Sequence, residues 1–264
     1  MIKLKVASVV FKGKGLTKCT PETYYEKIDI LLSLASKNEI DLILFPGLIG
    51  NLAPYRNAFA NNILSLSKKY PSLTICPGSF FEHDKDDIYH TSFIAKNGQI
   101  LLRQRQIYLA KWEREIGLKR GIEAKLVDIN GFKTGIVLST DTFYPQVARY
   151  LALNGAELIL SPAAIKAQKN SVFQLSGLWQ SVQQNLFFAM DSGFKGTFLD
   201  MEFHSHSFIY APLAMTEKED GFLAKENNDH IITAVLDKEK RVEAMKKFNP
   251  LKQLNSEFYK DMFK

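Results

Sequence analysis

Short apolar runs alternate along the chain with segments whose apolar residues recur every three or four positions. The runs predict strands buried on both faces of a sheet, and the wider spacing predicts helices that pack by one face. The first strand is predicted over 3–11. The later strands are predicted at 41–45, 73–76, 88–95, 99–106, 125–129, 133–138, 157–160, 207–210 and 231–235.

Helices are predicted between these strands. The first begins at Pro21, a residue suited to the first helical position, and a second covers 57–69. A third covers 145–154 and ends before Gly155. The buried face of the first helix is predicted to hold Tyr25, Ile28, Leu32 and Ala35. The longest helix is predicted to carry the stripe Val172, Leu175, Trp179, Val182 and Leu186.

Two Asn-Gly pairs, Asn97-Gly98 and Asn130-Gly131, each stand between predicted strands. This pair is a strong signal for a tight hairpin turn, so the strands on either side are expected to pair antiparallel. Because helices interleave with the other strands, the sheets should be mixed. The pattern therefore predicts an α/β layered sandwich with helices outside, and the 264 residues suit a single domain over 1–264.

The composition is ordinary for a globular protein, with 46% hydrophobic and 23% charged residues. No apolar run approaches the roughly 18 residues of a membrane span, and the alternating start does not resemble a signal peptide, so a cytoplasmic protein without membrane contact is expected. The net charge is +6, and the basic residues are interleaved with acidic ones instead of forming a stripe, which argues against a nucleic-acid partner. Cys19 and Cys76 form neither a disulfide framework nor a metal-spaced cluster.

Three strand ends carry the most informative residues. Gly47 follows the run that ends at Pro46, Gln106 closes the strand over 99–106, and Ser139 follows Gly135-Ile-Val-Leu. Together with the segment 143–162, these motifs resemble the nitrilase (carbon-nitrogen hydrolase) superfamily. The further landmarks of the resemblance are Phe45-Pro46, Gly78-Ser79-Phe80, Pro145, Arg149, Gly155-Ala156, Pro162, Trp179 and Asn185.

The resemblance implies an α-β-β-α sandwich with mixed sheets and a Glu-Lys-Cys triad that cuts amides and nitriles. In that chemistry a thiolate attacks carbon, a carboxylate moves the proton, and a lysine stabilises the developing oxyanion. Gly47, Gln106 and Ser139 stand at the three triad positions. The resemblance therefore predicts a pseudoenzyme that has lost hydrolysis and has no catalytic residue, the three positions being vestigial.

Three functions stay open at this stage. The first is a silent homologue that binds a partner or a small amide, carboxylate or amino-acid-like ligand. The second is a hydrolase or acyltransferase of altered chemistry that uses Ser139 with another base. The third is an architectural subunit with a filled pocket.

The ligand-binding residues implied by the resemblance are Gln106, Ser139, Phe143 and either Glu113 or Glu115, since the family often has a second glutamate in this loop. The resemblance implies no cofactor. It also implies a homodimer formed by the helix over 145–154, the Trp179 helix and the C-terminal segment.

Other polar residues have two readings each. His204 and His206, with Asp200 and Glu202 nearby, could bind a metal, but structural hydrogen bonding is favoured and no metal is expected. Asp141 either supports the turn after Ser139, which is favoured, or assists it as a nucleophile. His90 is either a changed pocket wall or a hydrogen-bonded core residue.

Overall fold

The computed structural model describes residues 2–11, 20–55, 58–166 and 171–261. The predicted helix start at Asn57 and the loop that contains Cys19 lie outside the described residues. Within the described ranges the strands are β1 Lys3–Val9, β2 Leu42–Leu44, β3 Thr74–Cys76, β4 Ser79–Asp84, β5 Asp87–Lys96, β6 Gln99–Arg105, β7 Leu126–Ile129, β8 Phe132–Ile136, β9 Leu158–Ala163, β10 Phe188–Gly193, β11 Lys195–Phe198, β12 Met201–His204, β13 Phe208–Tyr210, β14 Phe222–Lys225 and β15 Ile231–Asp237. The helices are α1 Pro21–Lys37, α2 Phe59–Lys69, α3 Lys111–Glu115, α4 Pro145–Leu153, α5 Val172–Leu175, α6 Leu178–Asn185, α7 Lys238–Lys247 and α8 Ser256–Asp261.

Two sheets form the centre of the fold, and both are mixed. The first has the order β15-β1-β2-β3-β5-β4 with β6 beside β5, and the second has the order β14-β13-β10-β9-β8-β7. β1, β2 and β3 run parallel while β15 is antiparallel to β1, and β8, β9 and β10 run parallel while β7 and β13 are antiparallel neighbours. The predicted α/β class with mixed sheets is confirmed.

Three apolar clusters show how the layers stack. One contains residues of both sheets, including Leu44 of β2 and Leu160 of β9, so the sheets pack face to face. A second joins the first sheet to α1 and α2, and a third joins the second sheet to α4 and α6. The layers are therefore helix, sheet, sheet, helix, because each strand interior has an apolar residue for either side.

Helix α1 shows how sequence determines one of these layers. Thr20 caps its start by accepting a hydrogen bond from the Thr23 amide at 3.3 Å, and Pro21 is its first residue. The buried stripe begins at Tyr24, not at the predicted Tyr25, which is half-buried. Tyr24 can be fully buried because its hydroxyl donates a hydrogen bond to the Ile49 carbonyl at 2.7 Å, which leaves no unpaired polar group in the core.

Both predicted hairpins are confirmed. Asn97 and Gly98 have φ values of 46° and 78° between β5 and β6, and Asn130 and Gly131 have 49° and 86° between β7 and β8. Two successive positive φ values define the turn that matches the twist of paired strands.

The predicted longest helix is wrong as one element. Its apolar stripe is divided between α5 and α6, with a break at Ser176 and Gly177. A Cβ on Gly177 would lie 2.9 Å from Thr142 Oγ1, so the chain is pressed against the turn that follows β8. α1, with 17 residues, is longer than either piece. None of the helices in the described ranges combines the length and apolarity that crossing a membrane requires.

Candidate functional site

The three positions singled out in the sequence meet where β2, β6 and β8 end. A Cβ on Gly47 would contact Ala164, whose amide donates to Ser139 Oγ at 3.2 Å. The Gln106 amide donates to Thr140 Oγ1, next to Ser139, at 2.8 Å. Gln106 is 0% exposed and Ser139 is 1% exposed, so the place where they meet is closed to solvent.

Gly47 is the tightest point of this site. An added Cβ would lie 2.8 Å from the Ala163 carbonyl carbon and 2.9 Å from both the Ala163 oxygen and the Ala164 Cβ. Two of these atoms belong to the backbone at the end of β9, which cannot rotate away. Any larger residue at position 47 therefore requires β9 and the loop after β2 to move apart.

Ser139 is the first residue of the short turn that follows β8. Its φ is +43°, a left-handed conformation that typically costs a non-glycine residue about 1–3 kcal/mol. The turn is held by Thr142, whose hydroxyl donates to the Ser139 carbonyl at 2.8 Å. The Ser139 hydroxyl itself faces backbone: besides the bond from Ala164 it has the Pro162 carbonyl at 3.5 Å, a distance too long for a strong bond.

Gln106 is surrounded by oxygen atoms. Its Nε2 has Glu113 Oε2 at 2.8 Å, Thr140 Oγ1 at 2.8 Å and the Tyr108 carbonyl at 3.0 Å. An amide nitrogen has two hydrogens and an ammonium has three, so the surroundings match the donor count of a lysine better than that of a glutamine. The Gln106 carbonyl oxygen is buried without a hydrogen-bond partner among the described residues.

Glu113 connects Gln106 to a buried histidine. Its Oε1 lies 2.7 Å from His90 Nδ1, and the other ring nitrogen lies 2.6 Å from Ser79 Oγ. The Ser79 hydroxyl in turn accepts from the Leu48 amide at 2.8 Å. All three side chains are at most 1% exposed, so this serine-histidine-glutamate relay is a hydrogen-bonded structural network that ties the loop after β2 to α3.

Asp141 connects the turn that begins at Ser139 to the segment that follows β6. Its carboxylate accepts from the Tyr108 amide at 2.6 Å and from the Ile107 amide at 3.1 Å. Burial raises the pKa of Asp141 to about 7. The hydrogen bonds from the Tyr108 and Ile107 amides favour the charged form and offset only part of this effect. These contacts agree with the predicted structural role of Asp141.

Aromatic side chains cover the relay. Phe81 meets the His90 ring edge-on at 5.6 Å between centroids, and Trp112 packs beside Phe81 at 6.4 Å. The small hairpin β11–β12 adds Phe198 against Phe81 and Phe203 against Trp112. The volume next to His90 is thus filled with apolar rings.

The remaining sequence-predicted residues lie apart from this cluster. Glu115 is largely exposed and pairs with Lys111 at 3.7 Å, so the structure brings only Glu113 to Gln106. Phe143 stacks with Phe173 at 4.6 Å on the α5 side. His204 has Glu202 at 3.4 Å.

His206 turns to a different carboxylate, with Glu226 Oε2 lying 3.5 Å from its Nδ1. The hydrogen bonds from His206 and Lys195 lower the pKa of Glu226 to about 2, overcoming the effect of its partial burial. Among the described residues, no group of three or more His, Cys, Asp or Glu side chains is placed to hold a metal ion.

Sequence reasoning missed one further buried acid. Asp191 of β10 is 1% exposed and accepts from Tyr210 at 2.8 Å and from Gln174 at 2.9 Å. Its other oxygen faces the hydroxyl of Ser161 across β9 and β10, a contact that favours the charged form of the carboxyl. Burial raises the pKa of Asp191 to about 6. An aspartate directly after the apolar run 187–190 was the available signal.

Comparison with known proteins gives a consistent result. A family model described as carbon-nitrogen hydrolase matches residues 5–243. A nitrilase of Pyrococcus abyssi is 25% identical over 158 residues, which is 54% of this chain and 59% of that protein. A citrullinase of Francisella tularensis is 28% identical over 116 residues, 42% of this chain and 41% of that protein. The chain thus matches about half the length of these curated relatives.

Solved structures agree over the whole fold. The carbon-nitrogen hydrolase of Helicobacter pylori G27 superposes with a TM-score of 0.82 at 19% identity and covers 99% of both chains. An amidase of the nitrilase superfamily from Nesterenkonia AN1, crystallised as a cysteine-to-alanine mutant, gives 0.79 at 15% identity and covers 98% of this chain and 97% of that one. At these identities the likeness concerns the fold.

Proposed function

The chain belongs to the carbon-nitrogen hydrolase family, and we propose that it has lost hydrolysis and serves as a non-catalytic subunit that binds a partner. The observation that carries this proposal is the contact at Gly47. No general base can occupy that position while the Ala163 backbone stands 2.8 Å from the site of a Cβ. Loss of general-base assistance typically costs about 10² to 10⁴ in rate.

The two other positions support the same conclusion. Gln106 carries no charge with which to stabilise an oxyanion, and its two N–H groups already have three oxygen atoms within 3.0 Å as acceptors. The hydroxyl of Ser139 contacts two backbone groups, and neither can take its proton. A Ser139 nucleophile therefore lacks the base that this alternative requires.

A filled site also favours a partner over a small ligand. Gln106, Glu113 and Ser139 are at most 1% exposed, and the rings of Phe81 and Trp112 cover the network they belong to. A small amide could enter only after these packed side chains had moved.

The test is ammonia release from aliphatic amides, nitriles and citrulline, chosen because relatives bear the names amidase, nitrilase and citrullinase. We expect no release above the blank from the wild type, from Ser139→Ala or from the double variant Gln106→Lys/Ser139→Cys. The double variant stays inactive because position 47 still lacks a base. An active amidase of the family, run alongside, shows that the assay works.

Two results would overturn the proposal, and the first is wild-type turnover that Ser139→Ala abolishes. That outcome would make Ser139 a nucleophile and the protein a hydrolase. Turnover that Ser139→Ala leaves unchanged would place the chemistry elsewhere in the molecule and would also refute the loss of hydrolysis.

The partner is proposed to be a second copy of the chain, bound through the outer face of α4 and the neighbouring α5. Large apolar side chains stand exposed there: Tyr150 is 53% exposed, Leu153 56%, Phe173 49% and Val172 70%. A patch of this kind marks an interaction surface more often than a bare surface.

Light scattering after size exclusion tests the dimer. We expect a dimer mass for the wild type and a monomer mass for Leu153→Glu. Ile30→Glu is the matched control, since Ile30 is 66% exposed on α1, and should stay dimeric. A monomeric wild type, or equal loss in both variants, would refute this surface.

A further inference from the structure

Four cationic side chains line a concave site at the end of β6, on the other side of the sheet from His90. The site has a volume of about 400 Å³ and is lined by Tyr89, Arg103, Arg105, Arg120, Gly121, Ile122, Glu123 and Lys125. Neighbouring strand residues point to opposite faces, so Tyr89 points away from the face that His90 occupies. The site is therefore separate from the filled cluster around Gln106.

Strand pairing brings the first two guanidinium groups together. Arg103 and Arg105 lie two residues apart on β6 and share one face of the sheet, and both pair with Glu82 of β4. Arg105 also donates to Asp84 at 2.7 Å and lies over the Tyr89 ring at 3.8 Å. A guanidinium held by two carboxylates and an aromatic face is fixed in position before any ligand arrives.

The opposite wall is a segment held close by its own backbone. The Gly121 amide donates to the Gln106 carbonyl at 2.7 Å, and the Gln104 side chain donates to the Glu123 carbonyl at 2.6 Å. A Cβ on Gly121 would lie 2.7 Å from the Arg105 carbonyl oxygen, so only glycine allows this approach. The wall therefore places Arg120 and Lys125 opposite the two arginines of β6.

The charges within the site are not balanced. Of its lining side chains four are cationic and one, Glu123, is acidic, and Glu123 pairs with Lys125 at 2.6 Å. Glu82 and Asp84 engage Arg103 and Arg105 from beside the site. For Arg120, which is exposed, the contacts within the described residues include no ion pair. When cationic side chains face one another in this way, an anion that bridges them reduces the repulsion between them.

We propose that this site binds a small polyanion whose phosphate or carboxylate groups are shared between Arg103 and Arg120. Planar guanidinium groups bond either kind of oxyanion through two parallel N–H groups, and the volume suits a small ligand. Ile122, 95% exposed at the rim, offers contact to an apolar part of the ligand. The proposal goes beyond the function proposed above, because it holds whether or not the family chemistry has been lost.

The experiment is calorimetric titration of the wild-type protein with pyrophosphate, citrate and ATP, at low salt and again at physiological salt. We expect saturable one-site binding of at least one of them, weakening as salt rises. Arg120→Ala and Arg103→Ala should each weaken binding about ten- to hundredfold, the loss expected for charge-assisted hydrogen bonds. Lys69→Ala is the control, since Lys69 is also an exposed, ion-paired cation but lies on α2.

Each outcome decides the question. Binding of pyrophosphate and ATP without citrate assigns a phosphate ligand, and binding of citrate alone assigns a carboxylate ligand. Absence of saturable binding by all three overturns the proposal. Equal weakening by Lys69→Ala overturns it as well, because that result describes general attraction to a basic surface. Thermal unfolding of each variant shows that it is folded, and Arg120→Ala leaves the sheet intact because Arg120 is exposed and lies outside the strands.

Discussion

The buried carboxyl of Asp191 gives the sharpest stability prediction. In the unfolded chain its pKa is near 3.8, and in the fold burial raises it to about 6. Its Oδ2 accepts from Tyr210 and Gln174, but no cation contacts it among the described hydrogen bonds and ion pairs. Ionisation is therefore opposed by desolvation, which the hydrogen bonds from Gln174, Tyr210 and Ser161 only partly offset.

The sign follows from proton binding. Between pH 3.8 and about 6 the folded protein holds a proton that the unfolded chain has released, so stability from this group falls as pH rises through that window. Each pKa unit corresponds to about 1.4 kcal/mol, so the charged carboxylate costs the fold about 3 kcal/mol above pH 6 and nothing below pH 3.8.

Asp191→Asn removes the ionisation and keeps the shape. With its oxygen toward Tyr210 and Gln174, the new amide group points at the hydroxyl of Ser161, which can accept a hydrogen bond from it. We expect the variant to exceed the wild type in unfolding free energy by up to about 3 kcal/mol at pH 7.5, and the gap to close toward pH 4.

The assay is urea denaturation of both proteins at intervals from pH 4 to pH 8. Other titrating groups, including Asp141, are common to both proteins and cancel in the difference. A difference that does not vary with pH would refute the reasoning, because an isosteric change that acts through packing alone has no proton to exchange. The reasoning would be refuted more strongly if the unfolding free energy of the variant minus that of the wild type were smaller at pH 7.5 than at pH 4.

Two other changes test the filled site by the same denaturation assay. Gly47→Ala should lower the unfolding free energy by about 1–3 kcal/mol, since its Cβ would lie 2.8 Å from the Ala163 carbonyl carbon; an unchanged midpoint would mean that the loop yields easily. His90→Leu should cost about 3 kcal/mol, because it removes one buried hydrogen bond from Glu113 and one from Ser79, although each keeps its remaining partners. An unchanged free energy of unfolding would mean that the network does not stabilise the fold.

Local sequence signals predicted the elements that depend on local physics. The apolar run at 41–45 contains β2, and the Asn-Gly pairs set two hairpins because few other residues accept two positive φ values. The break between α5 and α6 escaped notice because the apolar stripe continues in phase across Gly177. Its cause is contact with Thr142, 35 positions earlier in the chain, and periodicity carries no information on such contacts.

The candidate site divides in the same way. The residues at the three strand ends were visible in the sequence, and so was a choice between Glu113 and Glu115. Only the fold shows that α3 turns the first toward Gln106 and the second to solvent. The hydrogen bond between His90 and Ser79 joins β5 to β4. Nothing in the sequence indicates that these two polar side chains would meet.

The close approach at Gly47 also sets a direction in which this protein can change. Gln106 Nε2 lies among three oxygen atoms that would accept hydrogen bonds from an ammonium, and Ser139 already has a φ of +43°. Under the proposed loss of hydrolysis, Gln106→Lys and Ser139→Cys would therefore be changes of side chain alone. At Gly47 the obstacle is main chain, because the Ala163 carbonyl carbon lies 2.8 Å from the position of a Cβ and leaves no room for a carboxylate side chain. This contact would then oppose any reversal of the loss, because regaining activity would require a shift of the main chain before a substitution at position 47 could restore the general base.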